Sequence, residues 1–104
     1  MVKYKIKWSV QARLDLIEIL EFYLERNGNA TYSRKLNLII KKGTSQISKN
    51  PHIGIQSNYD SVRAFITLDY QIIYEIIDNT ILIVMIWGCR KNPNDKRIGQ
   101  RIQI

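Results

Sequence analysis

One cysteine, one histidine and two prolines stand among 104 residues, and each scarcity excludes something. Cys89 alone rules out an internal disulfide and the paired-cysteine zinc patterns, so a reducing compartment is the simpler expectation. His52 reads as a loop residue, because no other His or Cys cluster exists to complete a metal-ligand set around it. Long apolar runs are missing too: nothing approaches the roughly 18 uninterrupted apolar residues of a membrane span. Met1 to Trp8 alternates charged and apolar side chains and lacks the core of about 7 to 15 apolar residues that a signal peptide requires. A cytoplasmic protein with no membrane partner is expected. At this length the chain holds one core.

Acidic residues are scarce and unevenly placed. Sixteen Lys and Arg face nine Asp and Glu, a formal charge of +7. Residues 28 to 50 carry Arg34, Lys35, Lys41, Lys42 and Lys49 with no acid, and residues 90 to 104 carry five bases against Asp95 alone. Residues 9 to 27 reverse the balance, with Asp15, Glu18, Glu21 and Glu25 against Arg13 and Arg26. Segregated positive charge favours an anionic partner, either nucleic acid or an acidic protein.

What the chain has in abundance is a sheet. From Val62 to Arg90 the apolar run is close to continuous on both parities, which predicts three antiparallel strands buried on one face by helices and partly covered on the other by aromatic rings. Reversals are expected at Asp69 and at Asp78 with Asn79, residue types that tolerate the backbone angles of tight hairpins. Upstream, Val2, Tyr4, Ile6 and Trp8 share one parity and the lysines between them the other, the pattern of a half-buried edge strand. Ser9 supplies an N-cap for a helix whose wide apolar face joins Ala12, Leu16, Ile19 and Tyr23 to Ile17, Leu20 and Leu24. Asn27 and Gly28 end it. A second helix runs from about Asn29 or Ala30 to Ile47 or Ser48, buries Ala30, Leu36, Ile39, Ile40 and Ile47, and stops at Asn50 and Pro51. The segment from His52 to Asp60 reads as a loop. The order β-α-α-β-β-β gives an α+β fold, with an antiparallel helix hairpin packed on a twisted antiparallel sheet. Residues 1–93 form the domain and 94–104 a basic tail, which orders either on the protein or on a partner.

The opening IKWSVQARLDLIEILEFY, with its Asp15 and Leu16 pair, resembles the start of the RelE/ParE toxin superfamily. Pro51, Gly54, Arg63, Tyr70, Ile72, Tyr74, Ile76 and Arg90 follow in that family's order, so the resemblance reaches to Asn92 and Pro93. It implies a growth-inhibiting toxin of a bacterial type II toxin-antitoxin module, neutralised by a co-encoded antitoxin and needing no cofactor. RelE-like members cleave mRNA in the ribosome, whereas ParE-like members act on DNA gyrase. One fold serves both, so the mechanism must be read from the site.

Metal-free RNA cleavage needs a base, an acid and cations for the crowded phosphate. Arg63 and Arg90 suit the cationic role, with Lys91, Lys96 and Arg97 as additions. Proton-transfer groups are harder to place. RNA-cutting relatives carry a Tyr or His after the last strand, but here KNPNDKRIGQRIQI follows Arg90, leaving Asp95 or Lys96 to substitute. Tyr70 and Tyr74 fall within the sheet, where packing is the ordinary role of such rings. The ParE-like reading is therefore preferred, with the tail and the basic second helix, Lys41 and Lys42 included, as target or nucleic-acid contacts. RelE-like RNA cleavage and a non-toxic antitoxin- or DNA-binding module remain the alternatives. Arg63 also has a structural reading, as an ion-pair partner of Asp60, Glu75 or Asp78, and Arg90 another, as an exposed charge ending an apolar strand. The antitoxin segment is expected to be acidic and to fold on binding.

Overall fold

A computed structural model describes residues 4–91 and 95–102. Strand β1 (Lys5–Trp8) leads into helix α1 (Val10–Asn27), a short link, and helix α2 (Thr31–Lys49). Four strands follow: β2 (Ile55–Gln56), β3 (Val62–Thr67), β4 (Tyr70–Ile77) and β5 (Thr80–Gly88). They form one sheet in the order β1-β5-β4-β3-β2. The two helices pack on each other, and they lie on one face of this sheet with α1 nearest β5. The α+β architecture is the expected one. Three details differ from it. β1 is an edge strand but runs parallel to β5, the expected loop contains the two-residue strand β2, and α1 does not bury all of its apolar residues. Val2 lies outside the described residues, as does the expected boundary at residue 93.

Local chemistry fixes the helix ends. The Ser9 hydroxyl accepts the Ala12 N–H at 3.0 Å, satisfying a donor that the first turn cannot. Gly28, at φ 71, takes the left-handed conformation and returns its N–H to the Leu24 carbonyl. Asn29 then accepts the Thr31 N–H at 3.1 Å, starting α2 two residues later than its own position. Each hairpin turn holds one non-glycine residue at positive φ, Leu68 at 51 and Asp78 at 52.

The near-continuous apolar run in β5 has a physical cause. Ile73 pairs with Met85 but Tyr74 pairs with Ile83, so Val84 is an extra residue, a β-bulge. Ile81, Ile83 and Ile86 face the helices, while Val84, Met85 and Trp87 face the other way. Without the bulge, Ile83 and Ile86 would fall on opposite faces.

Both faces of the sheet are covered. On the helix side Ala12, Leu16, Leu36, Ile40 and Ile47 meet Ile72, Tyr74, Ile81, Ile83 and Ile86. On the second side Val62, Ile73, Val84, Met85 and Trp87 are joined by Ile98 and Ile102 of the C-terminal segment, which forms a 3-10 turn at Ile98–Gln100.

Candidate functional site

The residues singled out in the sequence divide between three places. Arg63 lies on the helix face of β3, opposite Tyr74, and its guanidinium donates to the carbonyls of His52 (3.2 Å) and Gly54 (2.7 Å). Tyr74, fully buried, donates its hydroxyl to the Pro51 carbonyl at 2.7 Å and accepts the Gly54 N–H at 3.0 Å. Together they clamp the chain that leaves α2. Gly54 is required there, since a Cβ would come within 2.7 Å of the Tyr74 hydroxyl and 3.0 Å of the Ala64 carbonyl. Arg63 is thus bound to carbonyls, in place of the carboxylate partners its sequence context suggested. Burial holds the Tyr74 hydroxyl above its ordinary pKa, partly offset by the Gly54 N–H and by Arg63.

Lys41 and Lys42 occupy the outward side of α2, both exposed. The remaining cations gather elsewhere, around the end of β5. Lys91 Nζ stands 5.2 Å and Lys96 Nζ 6.0 Å from the centre of the Trp87 ring, on the face away from the helices. Lys96 also donates to Gln71 at 2.9 Å. Arg90 reaches Asp69 at 3.6 Å with both side chains largely exposed, a pairing that leaves the guanidinium available because exposed ion pairs contribute little. Arg97 is exposed at the start of the 3-10 turn. Cations over an indole face are attracted to its quadrupole, so Trp87 gives Lys91 and Lys96 a fixed seat. The arrangement can bind carboxylates or phosphates.

Proton transfer is less well provided for. The Tyr70 hydroxyl donates to that of Tyr23 at 3.2 Å, and burial followed by that contact raises its pKa far above the ordinary value. Asp95 is exposed. One tyrosine that no sequence motif marks is better placed: Tyr59 lines an open groove with Ser57, Asn58, Lys96 and Arg97. Nothing in its sequence neighbourhood marks it, since the groove exists only because the C-terminal turn folds back against the chain before β3.

A second group was also illegible. Asp15, in α1, accepts from Arg101 Nη1 (2.8 Å) and Nη2 (3.3 Å) and from the Ile86 N–H (3.1 Å). Arg101 Nη1 donates further to the Val84 carbonyl at 3.0 Å. Pairing with β1 stops at Trp8 and Ile83, so the rest of β5 is a sheet edge, and these two side chains satisfy the backbone groups that the bulge turns outward. Beside them a cavity of ≈ 440 Å³ is lined by Asp15, Glu18, Phe22, Tyr23, Tyr70 and Arg90 among others. Among the described residues no helix is long and apolar enough to cross a membrane.

Comparison with known proteins adds a lineage. The family model for the ParE toxin of the type II toxin-antitoxin system parDE matches residues 6–93. A structure of the chromosomal ParDE toxin-antitoxin system from P. aeruginosa superposes with a TM-score of 0.70 at 18% identity, covering 85% of this chain and 98% of that one. The RelBE2 toxin-antitoxin complex from Mycobacterium tuberculosis gives a TM-score of 0.61 at 18% identity, covering 84% and 99%. Curated proteins return no match. At these identities the structures establish the shared fold, and the family match establishes the lineage: the chain belongs to the ParE toxin family and is a toxin of the type II toxin-antitoxin class.

Proposed function

We propose that the protein inhibits growth by binding DNA gyrase in the cytoplasm, with the cations around Trp87 as part of the contact surface, and that a co-encoded antitoxin neutralises it. The observation that carries this reading is the state of the two sheet tyrosines. Tyr70 and Tyr74 are both held in internal hydrogen bonds with raised pKa values, which suits packing and works against proton transfer at neutral pH. Arg90, Lys91, Lys96 and Arg97 by contrast form an exposed or half-exposed basic end, which asks of a partner only complementary charge and shape. Family membership supports the same branch.

The test is direct. Purified protein added to a gyrase supercoiling reaction should inhibit it, and mRNA in a reconstituted translation reaction should stay intact by primer extension. Ribosome-dependent new 5′ ends with unaffected supercoiling would overturn the proposal. That opposite outcome has one observation in its favour, the groove joining Tyr59 to Lys96 and Arg97. It would assign Tyr59 to proton transfer and the two cations to the phosphate, and Tyr59→Phe would then abolish cleavage.

A further inference from the structure

The cavity beside the Asp15–Arg101 pair has a structural cause. β1 ends its pairing with β5 at Ile83, and Gly88, paired with Tyr70, brings no side chain to the space between α1 and the sheet. A Cβ on Gly88 would meet only the Tyr70 ring and the Lys91 Cγ, both at 3.8 Å, so that space stands open. One wall of the ≈ 440 Å³ cavity is a stripe of α1, where Asp15, Glu18 and Phe22 follow at spacings of three and four. Tyr70, Ile86 and Gly88 form the facing wall, and Ile19 and Tyr23 complete the apolar lining. Phe22 packs edge-on against Tyr23 at 5.1 Å yet stays 56% exposed. Size and lining are those of a small-molecule pocket: mostly apolar walls with a few polar groups.

Charge decides what the pocket takes. Three acids and two cations line it, and four of these five are already engaged. Asp15 is held by Arg101, whose guanidinium stands behind it, and Asp69 is paired with Arg90. Lys91 lends its stem, while its ammonium sits over Trp87 on the other face of the sheet. Arg13, Glu21 and Arg26 of α1 lie outside the lining. Glu18 is left. Its neighbours at three and four residues are Asp15, Glu21, Leu14 and Phe22, none of them cationic, and among the described residues it has no ion pair. Beside it stand the rings of Phe22, Tyr23 and Tyr70, whose faces attract cations. The Tyr70 hydroxyl spends its proton on Tyr23, so its oxygen faces a ligand as an acceptor.

We infer that this cavity is a binding site for a small aromatic monocation, its ring system packed among Phe22, Tyr70 and Ile86 and its ammonium held by Glu18. The selection runs against the overall charge. A chain of net charge +7 repels small cations in general, so a preference for one has to come from the pocket itself.

The probes are three indoles of nearly one shape, titrated by calorimetry and followed by amide NMR shifts: tryptamine (cationic), tryptophol (neutral) and indole-3-acetate (anionic). Tryptamine should bind about tenfold more tightly than tryptophol, the worth of one charge-assisted hydrogen bond, and indole-3-acetate most weakly. Shifts should centre on Glu18, Phe22, Ile86 and Gly88. Glu18→Gln, at an exposed position where circular dichroism should show the fold intact, should bring tryptamine down to the level of tryptophol and leave tryptophol unchanged. Phe22→Ala should weaken both. Equal binding of the three indoles, tightest binding of indole-3-acetate through Arg90, shifts centred elsewhere, or no binding at all would each overturn the inference. The site is independent of the toxin reading: an unaffected gyrase reaction leaves the indole preference as it is, and loss of that preference leaves the gyrase test as it is.

Discussion

The two faces of the sheet are covered by different kinds of chain. Helices with regular periodicity close one face, burying Leu36, Ile40, Ile47, Ile72 and Tyr74 to 1% exposure or less. The other face is closed by an irregular C-terminal segment that contributes two half-buried isoleucines, Ile98 and Ile102, and is anchored by polar contacts of Lys96 and Arg101. The first face holds by volume and packing. The second holds by a few hydrogen bonds at its rim, and the basic end of the molecule is built on it.

That contrast makes unequal demands on mutation. Ile72→Ala should cost about 2–5 kcal/mol in chemical denaturation, because helices on a sheet cannot collapse into the vacated space. Ile98→Ala should cost about 1 kcal/mol, since a half-buried side chain on a movable segment forfeits less area. Equal losses would mean that the C-terminal segment is core in the same sense as the helices. Between them falls Arg101→Ala. Asp15 and Arg101 are 19% and 22% exposed, so removing the guanidinium leaves a mostly buried carboxylate and the Val84 carbonyl short of a donor. The expected loss is about 1–3 kcal/mol. Amide exchange should rise in β5 from Val84 onward, leaving β3 unchanged. A loss confined to residues 95–102 would show that the clasp holds only the segment and not the sheet edge.

How much of this could be read beforehand follows the same division. The helix face was legible because its residues recur at helical or strand spacing: Ala12 and Leu16, Leu36 and Ile40, Ile72 and Tyr74 are where periodicity puts them. It misplaces Ile17 and Leu24, which join the apolar face of α1 by hydrophobicity but stand exposed, and Ala30 and Ile39, which read as buried and are only half-buried. The second face was not legible. Val84 and Met85 adjoin one another on one face only through a bulge, which periodicity cannot announce, and Ile98 and Ile102 sit in a stretch rich in charge and turn formers. Asp15 and Leu16 drew notice as a family pair, yet the use of Asp15 depends on Arg101, 86 residues away. Among the candidate site residues, Arg63 has backbone carbonyls as partners, which sequence cannot pair with it.

The helix face also carries the titration behaviour. Tyr70 has its pKa raised above the ordinary tyrosine value, first by burial and then by the Tyr23 hydroxyl, so the folded state favours the protonated ring. A folded pKa above the unfolded one gives stability that is complete below about pH 10 and is lost as pH rises beyond it. Denaturation midpoints should therefore hold from neutral pH to about 9 and then fall. Tyr70→Phe, which cannot ionise, should flatten that fall, with Tyr74 left as the remaining contributor. An unchanged alkaline profile in the Tyr70→Phe protein would place the loss on Tyr74.

The smallest effect separates the two ends of the sheet. Both hairpins need a left-handed residue at the first turn position, and Asp78 meets that need with a short polar side chain suited to it. Leu68 meets it with a branched aliphatic one that is 55% exposed and so recovers little by packing. Left-handed backbone costs an ordinary L-residue about 1–2 kcal/mol, and Asn less. Leu68→Asn should thus stabilise the protein, by about 0.5–1 kcal/mol, whereas Asp78→Asn should be close to neutral. The strained turn lies beside Asp69 and Arg90, at the basic end. If Leu68→Asn stabilises the fold and weakens inhibition of the target, the exposed leucine is kept there for contact. If it stabilises and leaves inhibition unchanged, the strain has no part in function.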